Sequence, residues 1–492
     1  LVGSEMCIRD SVEGRFVNQR VAPCPLEVRG CAATWHDGRL VQWTSTQHAQ
    51  GARSNIAKAN GIDESLVRVI TPDVGGGFGA KIGTYPEEVL LGVLAKRIDR
   101  PVRWRETRSE SMVALGHGRA QIQYVKIGGS RDGKVHAVSA KILQDSGAWV
   151  DVGAVLAPFM TRPMLSGVYA IDRIECRTIS IATNTTPTVA YRGAGRPEAT
   201  ALIERAMDLF AHELKLDPVE VRRTNLIAPF NEPHTTAIGQ QYDVGNYERA
   251  LDLVLERANY AGLRAEQRAR RERGDDKLLG IGVSTYVEIT GGNSAGETAR
   301  VEVLPTGRAV VYTGTSPHGQ GHVTSWSMIL NAETGIPLEN IDVVWGDTDL
   351  VPVGGGTMGS RSLQQGGAAV QQAAVELIEK AKETASQLLE ASAADIVFDV
   401  DSAAFHVAGT PARSIGWRDV ATAASPESGI AHDTNFVSGG PTFPFGAHLA
   451  VVEVDRETGK TVLVKHVACD DAGKVLNPLI LDGQIHGGIA QG

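Results

Sequence analysis

Six short stretches concentrate the groups that could do chemistry: "TQ" (46–47), "GGGFGAK" (75–81), "AYRGAGRPEA" (190–199), "GQGHVT" (319–324), "GGTMGSRS" (355–362) and "DGQIHGGIAQG" (482–492). Five of them are rich in glycine, and most carry an amide, a guanidinium or a hydroxyl. Consecutive glycines expose backbone N–H donors suited to an anion. The turn at 190–195 carries no thiol, and no carboxylate stands before Glu198. Motifs for an activated serine, G-x-S-x-G and S-x-x-K, are absent, and no cysteine sits in a nucleophilic setting. The reactive atom is therefore expected from a bound group, wrapped by backbone.

Sharper alternatives fail on spacing. Gly75-x-Gly77-x-x-Ala80 fits a dinucleotide fingerprint, but that pyrophosphate sits on a helix starting at the glycines. Here Thr84 and Pro86 mark the helix start several residues later. No phosphate-binding P-loop is present, because Lys81 follows Ala80 and precedes Ile82. His318 and His322 stand four apart, but Gly319 and Gly321 argue against one helix through both. "AHELKLD" begins like a zinc-protease helix, with Asp217 one place beyond where the second His belongs. Gln320, between two glycines, either hydrogen-bonds an oxo group or a pterin, or caps its own loop. Ser360, Arg361 and Ser362 suit a phosphate or a pterin.

The elements that must hold these loops follow from composition and period. A chain of 492 residues calls for two or more packed units. Glycine, 55 of 492, exceeds the usual ~7%, and the surplus lies in these loops. Net charge is −9 with no basic run, which disfavours nucleic acid and anionic membrane as partners. No apolar run reaches the ~20 residues of a membrane span. Five cysteines without a C-x-x-C pair argue against a disulfide framework and against an iron–sulfur cluster held by this chain alone; a reducing, cytoplasmic setting is expected. The start, 1–11, has no natural Met and no period, and is set aside as an artefact or a disordered segment. The end stops inside a glycine-rich motif, so both ends read as cut.

Residues 44–77 and 313–356 resemble each other: Thr-x-Thr, a glutamine–glycine turn, an amphipathic helix, Gly-Ile, a valine strand and three glycines. Two related lobes are expected, each with one glutamine–glycine turn and one triple-glycine loop. Apolar spacing predicts helices over 196–216 and 366–395, the latter open to interruption at Ser386 and Ser392. Asp217-Pro218 opens another helix. Residues 300–315 read as a hairpin turning at 305–307. The fold expectation is α+β, with mixed and antiparallel sheets and packed helices. The division is 12–230 for a first domain, 231–248 for a linker and 249–492 for a second.

Taken together and in this order, the motifs resemble the molybdenum-cofactor-binding large subunits of the xanthine dehydrogenase and aldehyde oxidase family. They come nearest its aerobic carbon monoxide dehydrogenase-like branch. The resemblance runs from about residue 12 to the end. It implies a molybdopterin, as its cytosine dinucleotide, between two lobes, with molybdenum held by the pterin rather than by side chains. It implies that Gln47 hydrogen-bonds the apical oxo of molybdenum, that Gly76, Gly77, Phe78 and Gly79 line the metal with Phe78 positioning substrate, and that Arg192 is the active-site arginine. Gly319, Gln320, Gly359, Ser360, Arg361, Ser362 and Gln491 are implied to hold the pterin and its phosphates. The general-base glutamate of the family lies beyond residue 492, so the chain alone is expected to be inactive. A small Fe–S subunit and a medium FAD subunit are implied as partners, in a dimer of heterotrimers.

Two departures bear on substrate. Ile82 stands where purine-oxidising relatives carry a glutamate, and Gly193 stands where carbon monoxide oxidisers carry a copper-binding cysteine. The resemblance therefore implies hydroxylation of an aldehyde or N-heteroaromatic carbon, with carbon monoxide oxidation as one alternative. A non-catalytic cofactor-binding or chaperone protein on the same fold is the other.

Overall fold

The structure, a computed structural model, describes residues 10–291 and 296–492. Of the start set aside at 1–11, residues 1–9 lie outside the described residues. Asp10 and Ser11 open the strand Asp10–Asn18, paired with Gly129 and Gly128.

Two compact units divide the chain, and both are built from separated segments. The first takes Leu1–Pro23, Ala114–Ile289 and Thr442–Lys474; the second takes Cys24–Val113, Thr290–Pro441 and Val475–Gly492. The first unit holds a four-stranded sheet (Asp10–Asn18, Gln121–Gly129, Val135–Gly147, Arg173–Ala182) and a three-stranded one (Lys277–Val287, Phe445–Asp455, Thr461–Asp471). Its central helix, Arg196–Leu214, lies where the apolar spacing placed it and buries Ala199, Leu202, Ala206 and Phe210. Asp217 caps the following helix, Pro218–Asn225, by accepting from Val219 N. Two two-residue strands, His234–Thr235 and Gln241–Tyr242, occupy the stretch expected as linker.

A buried polar knot ties this unit together. Arg222 is fully buried and donates to Glu204, Asp208 and the Val283 carbonyl. Glu204 also accepts from Tyr169 and Thr285. Burial of Tyr169 and the adjoining Glu204 carboxylate hold its phenol far above its ordinary range.

The second unit contains the repeated pattern twice, as two sheets of the same order and sense. One runs Val67–Ile70, Arg39–Thr44, Gly30–His36, Val102–Arg105; the other runs Ile341–Val344, Ala309–Thr313, Glu297–Val303, Ile430–Phe436. In each, the first pair is parallel and the other two are antiparallel. A helix joins each parallel pair, Ala49–Asn60 in one and His322–Thr334 in the other. They end on left-handed glycines, Gly61 (φ 64°) and Gly335 (φ 66°), and each is followed by a single 3-10 turn. The duplication is real, but both copies belong to one compact unit rather than one to each. They meet where Thr71 N donates to Gly346 O and Thr348 N to Val69 O.

Three local expectations shift. The long helix spans Ala368–Leu389; Ser386 sits inside it, donating to the Glu383 carbonyl, and a π turn, Ser362–Gly367, precedes it. Ser392 caps a separate 3-10 turn. The glycine-rich end, expected as a loop, is the helix Pro478–Gln491, because Asn477 accepts from Ile480 N and Pro478 starts the turn. Among the described residues no helix is long and apolar enough to cross a membrane.

Arg222→Ala leaves Glu204 buried without its cation. It should destabilise the protein by about 3–5 kcal/mol, read by chemical denaturation.

Candidate functional site

Gln47 follows the strand Arg39–Thr44 and stands just before the helix Ala49–Asn60, in the turn that joins them. The turn buries it. Its Oε1 accepts from Gly79 N at 2.8 Å and Lys81 N at 3.2 Å; its Nε2 donates to the Thr357 carbonyl at 2.9 Å. Its backbone repeats the pattern, donating to Lys81 O and accepting from Thr357 N. One residue thus ties the glycine loop of the first copy to that of the second. A primary amide has two N–H hydrogens and two oxygen lone pairs. Both lone pairs and one hydrogen are used, and the other Nε2 hydrogen has no acceptor among the described residues.

The 75–81 loop closes around this amide. An added Cβ at Gly77 would stand 2.5 Å from Gln47 Oε1, so only glycine admits the side chain. Phe78 takes a left-handed backbone (φ 54°), and its ring lies over Gly76. The N–H groups of Gly76, Gly77 and Phe78 donate to no protein acceptor among the described residues. The helix begins only at Pro86, nine residues beyond Gly77, as the sequence argued against a dinucleotide fingerprint.

In the second copy, Gln320 Oε1 accepts from His318 N and so caps its own loop. The backbone N–H groups of Gly319, Gln320 and Gly321 have no protein acceptor among the described residues, and the space beside Gly319 is open. The helix starts at His322 with no side-chain cap, which leaves His318 outside it. Both histidines are buried. His318 Nε2 faces the Thr46 carbonyl at 3.4 Å, and His322 stacks on Trp326. His318 Nδ1, His322 Nδ1 and Trp326 Nε1 are buried with no hydrogen-bond partner among the described residues. Burial pushes the two imidazoles down to about 4 and about 3, so both are neutral near pH 7.

Gly359 and Ser360 are exposed at the second glycine loop, and Ser362 opens the π turn after it. Arg361, expected on a phosphate, is buried and donates to Glu297 Oε2 at 2.6 Å and to the Gly356 and Gly296 carbonyls. Gln491 ends its helix eleven residues beyond Ile480, the side chain that a Cβ at Gly321 would meet. That is about 16 Å along the axis. Gln47, Gly76, Gly77, Phe78 and Gly79 are therefore brought together.

Arg192 belongs to the other unit. The turn 190–195 has Gly193 at φ 94° and Gly195 at φ 97°. Arg119 secures it, donating to the Tyr191 and Arg192 carbonyls at 3.0 and 2.8 Å with its guanidinium over the Tyr191 ring. Burial lowers the Arg192 pKa from its ordinary value. Cys176 is packed against that unit's core, its thiol pushed up to about 11 by burial.

Sequence reasoning missed Thr357, Lys81 as an ion-pair partner, and the carboxylates of Glu27 and Glu297. The distance along the chain between each of them and its partner hid them.

Sequence models of the molybdopterin cofactor-binding domain match residues 6–226 and 253–492. The chain belongs to the molybdopterin cofactor-binding proteins of the xanthine dehydrogenase family. Among this family's members, it is 37% identical to the carbon monoxide dehydrogenase large chain of Hydrogenophaga pseudoflava, over 96% of this chain and 61% of that one. It is 33% identical to the nicotine 6-hydroxylase large subunit of Paenarthrobacter nicotinovorans, over 96% and 60%. A crystal structure of a Cu,Mo-CO dehydrogenase in its carbon monoxide reduced state superposes with a TM-score of 0.91 at 33% identity, covering all of this chain and 64% of that one. The chain thus spans about three fifths of the length of the curated relatives it matches.

The residues present fit a molybdopterin. Unspent backbone N–H groups at 76–78 and 319–321, the open space beside Gly319 and Gly359, and the orphaned His318 and His322 nitrogens suit a large, anionic, hydrogen-bonding group.

The buried histidines give a pH dependence. As pH falls below about 6.5 the unfolded chain binds protons that the folded chain refuses until about 4 and about 3. Their contribution is complete above about 6.5 and falls away on acidification. His322→Phe, which keeps the stacking, should flatten the fall in melting temperature between pH 7 and 5.

Proposed function

We propose that the chain is the cofactor-binding part of a molybdenum hydroxylase large subunit. Its reaction is the hydroxylation of an aldehyde or an electron-poor N-heteroaromatic carbon with oxygen from water. The observation that carries this reading is the Gln47 amide, fixed by both glycine loops with one N–H left over. When bound, the molybdenum cofactor supplies the two-electron redox chemistry, and the protein supplies binding, orientation and electrostatics. Gln47 offers its remaining hydrogen to the metal end of the cofactor. Gly76, Gly77, Phe78 and Gly79 line that end, and the Phe78 ring orients substrate. Gly319, Gln320, Gly359, Ser360, Ser362 and Gln491 hold the pterin and its phosphates, through backbone N–H groups where side chains are committed. Arg361 supports its loop from behind. Arg192, on a turn braced by Arg119, is the active-site arginine.

The cytosine dinucleotide form of the cofactor, an Fe–S subunit and an FAD subunit in a dimer of heterotrimers, and a cytoplasmic location complete the proposal. They rest on the relatives' names as large chains and large subunits, and on five cysteines without a C-x-x-C pair. The two cofactor-binding domains are proposed to run 12–230 and 249–492, supported by the two matched stretches. The chemistry of nicotine, a pyridine, supports an N-heteroaromatic substrate class.

Carbon monoxide oxidation is the second reading, favoured by the carbon monoxide dehydrogenase relatives. Against it stands Gly193. Its left-handed φ, and a Cβ that would meet Pro197 Cδ and Cγ at 2.5 Å, make this turn a place for glycine rather than a metal-binding cysteine. Metal analysis of the full-length protein with its partner subunits decides between the two. Molybdenum without copper, and oxidation of an N-heteroaromatic or aldehyde but not of carbon monoxide, is the expected result. Stoichiometric copper with carbon monoxide oxidation overturns it.

A further inference from the structure

The two glycine loops share a feature that their sequences hide. Lys81, four residues past Gly77, is buried and donates to Glu27 Oε2 at 2.7 Å and to the Glu27 carbonyl at 3.0 Å. Glu27 Oε2 also accepts from Gly75 N, and Glu27 N donates to Gly75 O. Arg361, five residues past Gly356, pairs with the buried Glu297, which also accepts from Gly355 N at 3.2 Å. Glu27 stands three residues before the strand Gly30–His36; Glu297 opens the matching strand Glu297–Val303. In both copies a carboxylate at the head of the same strand joins a cation beyond the loop to an N–H within it.

We propose that Lys81–Glu27 and Arg361–Glu297 are a duplicated pair of clamps that position the glycine loops for the cofactor. The cations themselves are withheld from its phosphates. The proposal rests on the cofactor reading above. The first clamp sets the backbone of Lys81, whose N–H and carbonyl both bond Gln47. The second sets the 356–361 turn, which contains the Thr357 carbonyl that takes the Gln47 amide. With both cations neutralised, the positive charge left for the anion is that of backbone N–H groups and uncapped helix starts, which is fixed in direction.

The test separates a clamp from a phosphate contact. In the full-length complex, Arg361→Met and Glu297→Gln are compared, with Lys81→Met and Glu27→Gln as the second pair. The readouts are molybdenum per chain and the half-time of cofactor loss on dilution. Positioning through the pair predicts that both members of each pair speed the loss alike, on the order of tenfold or more, as for partners that orient the direct ligands of a bound group. The double variant should be no worse than the poorer single, and Arg361→Lys and Lys81→Arg should recover most of the retention. If Arg361→Met sheds cofactor while Glu297→Gln holds it as the wild type does, Arg361 contacts the phosphate and the proposal is overturned. A wild-type complex without molybdenum would sink the functional reading instead. The pairing is then read from the melting temperatures of the same variants in the cofactor-free full-length chain. A double variant no lower than the poorer single supports the clamp, and additive losses refute it.

Discussion

The side-chain amide of Gln47 is the interaction on which the site depends. It takes two N–H groups from the first glycine loop and gives one to the carbonyl of Thr357 in the second. Neither loop has regular secondary structure of its own at these residues, so their mutual position is set by that amide and by the backbone bonds beside it. Gly77 is glycine because the amide occupies the space of its side chain. Burial raises the cost of leaving any of these groups unpaired, which makes the arrangement specific as well as stable.

The amide works because the two loops sit on duplicated scaffolds. Each copy presents a strand, a helix entered without a side-chain cap, a parallel strand and a glycine loop. Packing two such copies in one unit provides two sources of free N–H groups, one in the first copy's glycine loop and one at the start of the second copy's helix. The alanine-rich face of the helix Ala368–Leu389, with Leu377 and Ile378, seals the second copy, whereas the first is sealed by the shorter helix Pro86–Ile98 through Leu91 and Ala95. The other unit contributes a separate device, the glycine turn before Arg196–Leu214, whose shape is secured by Arg119 rather than by regular structure.

Much of this was legible in the sequence, because it depends on local rules. The helix after Gly195, the Asp217 cap, the hairpin after residue 297 and the late start of the helix after the triple glycine all follow from period, caps and prolines. The repeat was legible too, but not its location, since a chain that returns twice to the same unit leaves no mark at its crossings. The helix Pro478–Gln491 was misread because three of its residues are glycine, a local cost that Asn477 and Pro478 offset at its start. The ion pair of Arg361 was not legible, because its partner, Glu297, lies 64 residues away.

Amide hydrogen exchange in the full-length, cofactor-free protein tests the central claim most directly. If Gln47 holds the two loops together, Gln47→Ala should raise exchange in peptides covering 76–82 and 354–361 together, while the strands Gly30–His36 and Glu297–Val303 keep their protection. Faster exchange in one loop alone, or in neither, would contradict the account.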